Sequence, residues 1–224
     1  MNPLTTSRNK YYDNNKCMEI YTPVPIVQFI VDLFEQFIKY NPNLVILDPA
    51  CGSGNLLKPF KKQSDTIKTI GIDIKKDNIE GIDKFYKDNF LSFKKEFDDE
   101  VDFIICNPPF NNTKENKEWM KENKKGKALL PELFLDKMID LFGEDIHVMP
   151  IVLFVPMGFR LNQRLKSKRW KKIRDQHPSI SSIISLPLDV FPNVEFHNEI
   201  LIYNTNWLDA HYMLPDKYVK KLKR

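Results

Sequence analysis

The sequence predicts a Rossmann-like α/β fold, a mixed and mostly parallel sheet with helices on both faces. Three observations carry that prediction. A short apolar run, Leu44-Val45-Ile46-Leu47, passes straight into the glycine-bearing turn Asp48-Pro49-Ala50-Cys51-Gly52-Ser53-Gly54-Asn55. A second strand pattern, Ile67-Lys68-Thr69-Ile70-Gly71-Ile72-Asp73-Ile74, sets an acid about 20 residues past the glycines, the spacing of a nucleotide-type βα unit. A third apolar run, Val101-Asp102-Phe103-Ile104-Ile105-Cys106, is cut off by Asn107-Pro108-Pro109-Phe110, where two prolines stop a ladder and stiffen the chain.

The remaining elements follow in order. Residues 1–20 form a polar, Asn-rich arm. Tyr21-Thr22-Pro23 then opens a helix in which Ile26, Ile30, Leu33, Phe34 and Phe37 recur at helical spacing, with Thr22 as N-cap and Pro23 in the first turn. Asn41-Pro42-Asn43 stops it. Asp88-Asn89-Phe90-Leu91 closes the third strand region, either as a surface turn or as a place where a polar side chain meets an adenine amino group. Residues 111–127, rich in Lys, Asn and Glu, read as a mobile loop too polar to pack. Residues 21–208 make up the main domain and residues 209–224 a basic C-terminal tail, whose end, Lys217–Arg224, reads as solvated.

Composition narrows the setting. With 224 residues, 42% of them hydrophobic, the chain can bury one full core. No apolar run approaches the length that spans a bilayer, and the polar N-terminus lacks a signal-peptide core, so a cytoplasmic protein is expected, with no membrane partner. Cys17, Cys51 and Cys106 are odd in number and scattered, which fits a reducing compartment. The histidines share no metal-ligand spacing, and no metal site is expected.

The turn after the first strand indicates its ligand. A pyrophosphate loop avoids a carboxylate at its mouth because like charges repel at close range. Asp48 stands directly ahead of the glycines, and no Gly-Lys-Ser/Thr follows. A ligand with a sulfonium or ammonium group and a ribose suits it better, and S-adenosylmethionine has those features. Asp73 is placed to grip a ribose hydroxyl. In Asn107-Pro108-Pro109-Phe110, the Asn107 amide oxygen and the Pro108 carbonyl are two acceptors beside a flat ring, which suits a planar group carrying an NH2. On its own the tetrapeptide is equally a strand-ending turn.

Taken together and in this order, Tyr21-Thr22-Pro23, Asp48-Pro49-Ala50-Cys51-Gly52-Ser53-Gly54 and Asn107-Pro108-Pro109-Phe110 resemble the S-adenosylmethionine-dependent adenine-N6 DNA methyltransferases, in their gamma motif order. Modification enzymes of restriction systems and their phage or plasmid relatives are the nearest likeness. The helix at Leu130-Pro131-Glu132-Leu133-Phe134, the strand at Val152-Leu153-Phe154-Val155-Pro156 and the closing strands around Ile183-Ile184-Ser185-Leu186 and Glu199-Ile200-Leu201-Ile202-Tyr203 resemble that family's later elements. The resemblance implies a class I methyltransferase fold with an antiparallel hairpin at its C-terminal edge. It implies a cofactor site of Tyr21, Thr22, Asp48, Ala50, Cys51, Gly52, Gly54, Asn55, Asp73, Ile74, Asp88, Asn89, Phe90 and Asn107. The catalytic group it implies is Asn107, Pro108, Pro109 and Phe110.

The basic run Arg160, Arg164, Lys166, Lys168, Arg169, Lys171, Lys172 and Arg174, interleaved with Leu161, Leu165, Trp170 and Ile173, reads as one amphipathic helix. A charge run is ordinarily a solvated face. On a nucleic-acid enzyme its single sign favours contact with DNA phosphates. The chain ends about where the family's catalytic domain ends, so a separate recognition subunit is an expected partner. Methylation of an RNA base or a protein glutamine, and a silent cofactor-binding subunit, are the alternatives to adenine methylation of double-stranded DNA.

Overall fold

A computed structural model describes residues 22–74, 79–94, 96–110, 114–124, 128–160, 164, 166–191 and 197–222. The arm at residues 1–20 and Tyr21 lie outside the described residues. The sheet is built outward from β1 (Val45–Asp48), whose four residues are all buried, as expected of a strand covered on both faces. It pairs in parallel with β2 (Lys68–Asp73) on one side and β4 (Phe103–Cys106) on the other. Beyond them lie β3 (Lys84–Lys87) and β5 (Ile151–Pro156), and then an antiparallel β7 (Asn198–Tyr203) inserted between β5 and β6 (Ile180–Ser185). The order among the described residues is β3-β2-β1-β4-β5-β7-β6-β8, with β8 (His211–Met213) parallel to β6 at the far edge. The predicted mixed sheet and its C-terminal hairpin are both present.

Alternation along the strands sends neighbouring side chains into two separate cores. Ile46, Phe103, Ile105, Val152 and Phe154 face α1 (Val24–Leu33), α2 (Glu35–Tyr40) and α3 (Lys58–Lys61). Leu47, Ile104, Cys106 and Leu153 face α4 (Lys114–Glu122) and α5 (Leu130–Phe142). At Gly71, opposite Asp48, an added Cβ would lie 2.7 Å from Cys51 Sγ, so the glycine turn can lie against β2 only because residue 71 has no side chain. None of the described helices is long and apolar enough to cross a membrane.

Four local expectations change. α1 begins at Val24 with Pro23 as N-cap and no side-chain cap, so Thr22 does not cap it. Among the described residues the basic run is helical in α6 (Lys168–Asp175), where Ser167 caps it by accepting from the Trp170 N–H at 3.0 Å. Leu161 and Leu165 lie outside the described residues. The stretch 111–127 is not simply a loop. It contains α4, with Met120 buried and Trp119 packed on the second core, while 111–113 and 125–127 lie outside the described residues. Two adjacent apolar side chains suffice to seat a helix whose other faces are charged.

The supposed tail also belongs to the domain. It supplies β8 and then α7 (Asp216–Leu222), which buries Tyr218 against Phe29 at 5.1 Å, while the Tyr218 hydroxyl bonds to Asp32. Leu214, Tyr218, Val219 and Leu222 make one apolar stripe among the lysines, and that stripe outweighs the charge. Tyr218→Ala should therefore destabilise the chain by about 3 kcal/mol, the usual loss for a buried aromatic. Denaturant unfolding checks this, since a solvated tail would show no change.

Candidate functional site

The chain runs outward from β1 to β2 to β3 on one side and from β4 to β5 on the other, so the connections after the paired β1 and β4 leave in opposite directions, the switch point where an open α/β sheet has its crevice. The three sequence motifs converge there: Asp48 ends β1, Asp73 ends β2, and Asn107 follows β4. Asp88 follows β3, and its backbone N–H bonds the Asp73 carbonyl at 3.1 Å.

Asp48 is fully buried. Its Oδ1 accepts from the Ala50 N–H at 3.0 Å, while Oδ2 has no hydrogen-bond partner. Burial pushes the carboxyl up to about 8, the Ala50 N–H opposes that, and repulsion from Asp73 adds to it. The same burial, with Asp48 nearby, raises the thiols of Cys51 and Cys106. The turn is tied to its neighbour through the Cys51 N–H on the Ile72 carbonyl at 3.0 Å and the Gly52 N–H on Asp73 Oδ2 at 3.1 Å. Gly52 and Gly54 take positive φ of 52° and 78°, which the tight bend requires. Ser53 Oγ donates to Asn55 Oδ1 at 2.9 Å, and Ile74 stands outward, 45% exposed.

The remaining predicted residues fall into three groups. Asn89 accepts from the Leu91 N–H at 3.0 Å and starts a single helical turn, and Phe90 is buried against Phe134 at 5.3 Å, so its ring belongs to the core. Pro108 is buried, Pro109 is exposed, and Phe110 packs partly on the first core. Asn107 Nδ2 donates to Thr22 Oγ1 at 3.1 Å, a link across 85 residues that sequence periodicity does not reveal.

Four of the eight predicted DNA-contacting side chains are engaged in ion pairs. Arg160 Nε and Nη2 donate to the two oxygens of buried Glu199, each at 3.0 Å. Burial raises the Glu199 carboxyl despite that fork. Arg169 meets Glu132 at 2.7 Å, Lys172 meets Asp136, and Arg174 meets Asp175 at 2.5 Å. Burial alone would push Asp136 up, but hydrogen bonds from His177 and Lys172 hold its carboxyl below the usual range. Arg164, Lys166, Lys168 and Lys171 make no ion pair among the described residues and are exposed. The one signal for this docking was the acid pair Glu132 and Asp136, four apart on α5, facing Arg169 and Lys172, three apart.

The N-6 DNA methylase family model matches residues 9–84 and 67–214. The chain belongs to that family. It is 27% identical over 224 aligned positions to the type I restriction enzyme MjaVII methylase subunit of Methanocaldococcus jannaschii, covering 88% of this chain and 38% of that protein. It is 26% identical to the type I restriction enzyme EcoEI methylase subunit of Escherichia coli, covering 83% of this chain and 42% of that one. The chain thus spans about two fifths of the length of these curated relatives. A class I S-adenosylmethionine-dependent methyltransferase of Listeria monocytogenes superposes with a TM-score of 0.61 at 20% identity, over 93% of this chain and 70% of that one. That likeness establishes the class I fold for this family member.

Burial of Asp48 has a measurable sign. An ordinary aspartate ionises near pH ~4, whereas the folded chain holds this carboxyl protonated up to about 8. Between those values the unfolded chain gives up a proton that the folded chain keeps, so this group's contribution to stability is lost as pH rises. Asp48→Asn removes the loss. It should gain on the parent by about 1 kcal/mol per pH unit between pH ~5 and ~8. Thermal unfolding of both across that range checks this, and parallel profiles would contradict it.

Proposed function

We propose that the chain methylates the exocyclic N6 amine of adenine in double-stranded DNA with S-adenosylmethionine as methyl donor. The observation that carries this reading is the meeting, at one crevice, of two acidic side chains, Asp48 and Asp73, with an asparagine amide whose oxygen is left for a donor. The crevice fits the cofactor's chemistry. Asp48 is buried with one oxygen unpartnered and is kept protonated by that burial and by Asp73 nearby, and a bound cation would draw it into its charged form. The Gly52 N–H is turned onto the Asp73 carboxylate, where a phosphate would be repelled.

Asp48, Ala50, Cys51, Gly52, Gly54 and Asn55 would line the cofactor from the first turn, Asp73 and Ile74 from the second strand, and Asp88 and Asn89 from the third, with the Phe90 ring in the core behind them. Tyr21 would complete the cofactor site, whereas Thr22, whose hydroxyl is taken up by Asn107, and Asn107 itself would face the target amine. When bound, S-adenosylmethionine supplies a methyl group on a positively charged sulfur. An adenine amine is a weak nucleophile because its lone pair is delocalised into the ring. Asn107 Oδ1 and the Pro108 carbonyl accept its two hydrogens, draw the nitrogen toward tetrahedral geometry and localise that pair. Pro108 and Pro109 keep both acceptors in place. Phe110 stacks on a base turned out of the duplex and offsets part of its lost stacking. Asn107 is a neutral acceptor, so the amine's proton leaves late, to water.

Exposed Arg164, Lys166, Lys168 and Lys171 are suited to phosphate contact, which positions a duplex without reading its sequence. Sequence reading then falls to a partner, consistent with the curated relatives being named as subunits. A DNA substrate puts the reaction in the cytoplasm.

S-adenosylmethionine should bind the chain, and Asp73→Ala should weaken it by about 1.5–3 kcal/mol as a charge-assisted hydrogen bond is lost. Asn107→Ala should abolish turnover on adenine-containing DNA yet leave that affinity nearly unchanged. Calorimetry and a labelled-methyl assay separate the two, and absence of cofactor binding in the parent would overturn the reading. Reversing charge at Arg164, Lys168 and Lys171 together should lower DNA methylation and flatten its salt dependence while cofactor affinity holds. An unchanged salt slope would make these residues a solvated face.

A further inference from the structure

Thr22 stands where a helix cap is expected, directly before Pro23, yet α1 starts without a side-chain cap. The hydroxyl is turned inward instead. Thr22 is only 3% exposed, and its Oγ1 accepts from Asn107 Nδ2 at 3.1 Å. A buried hydroxyl withheld from capping and given to an amide in the crevice breaks a local rule, and such breaks gather at functional sites.

Asn107 needs a partner of this kind. The prolines stiffen its backbone, but the terminal torsion of an amide side chain remains broad and two-fold. Its two ends are nearly the same shape and differ in sense, one accepting and the other donating. Only the oxygen end can receive an amine's hydrogen. In the structure the nitrogen end is held by Thr22, which leaves Oδ1 for a ligand. The anchor is firm, because the helix that follows Thr22 is seated by Ile26, Val27 and Ile30, all fully buried.

We propose that Thr22 is a positioning residue for the transfer, holding the Asn107 amide in place with its oxygen toward the target amine. This rests on the function proposed above for Asn107. Thr22 acts through Asn107 and sets the turnover rate more than cofactor affinity. A hydroxyl is required for this, whereas the methyl group of Thr22 is not.

Thr22→Val keeps the shape and removes the hydroxyl, and Thr22→Ser keeps the hydroxyl. In the valine variant kcat on adenine-containing DNA should fall about three- to tenfold, the range for one neutral hydrogen bond, with serine restoring it. Calorimetric affinity for S-adenosylmethionine should stay within about twofold in both variants, since the lost interaction is not made to the cofactor. A second reading needs no turnover. The Asn107 side-chain amide signal in nitrogen-15 NMR, assigned by its loss in Asn107→Ala, should exchange slowly with water in the parent and serine proteins and faster in valine. An amide signal or a kcat that the valine change leaves alone would overturn the proposal. So would a weakened cofactor affinity with full kcat at saturation, which would make Thr22 a cofactor ligand. An amide signal that responds as expected, in a parent that methylates no DNA, would support the positioning and overturn the methylation reading.

Discussion

A carboxyl group cut off from water, with one oxygen hydrogen-bonded and the other bare, is costly wherever it occurs. Asp48 puts such a group at the centre of this molecule. It can be there because β1 is the strand from which the sheet extends in both directions, and helices cover both of its faces. The same topology decides what surrounds it. β2 brings Asp73 alongside, and β4, diverging on the other side, brings Asn107. A single constraint, central burial of the first strand, therefore sets both the raised Asp48 carboxyl and the proximity of an amide to it.

Charge in this chain is less surplus than its order suggests. The longest basic stretch meets acids from elsewhere in the fold: Glu132 and Asp136 on α5 and Glu199 on β7. These contacts are partly buried, so removing one partner would leave a costly charge behind, and they dock α6 onto α5 as a structural unit. Among the described residues of that stretch, Arg164, Lys166, Lys168 and Lys171 are the ones left exposed and without an ion pair. The C-terminal segment shows the same principle, because one buried tyrosine and its apolar neighbours recruit a lysine-rich helix into the first core.

Much of the site was legible along the chain. Strand, glycine turn and acid announce themselves locally, because a tight bend demands glycine, a strand buried on both faces demands an unbroken apolar run, and paired prolines end a ladder. The Gly52 and Gly54 turn, Asp73 at the end of β2 and Asn107 after β4 all stand where those rules put them. Thr22 was legible as a residue of interest and misread in its local role, since the capping rule sees only the helix it precedes.

The sequence by itself determined the order of the central strands, the Rossmann-like class and the placing of Asp48, Asp73 and Asn107 at strand ends, because each rests on short-range backbone requirements. Tertiary structure alone decided the rest. It paired Thr22 with Asn107 across 85 residues and Arg169 with Glu132 across 37, and it turned a polar stretch into α4 and a basic tail into β8 and α7. Those outcomes depend on which distant surface each side chain meets, and a linear pattern of polarity carries no record of its partner.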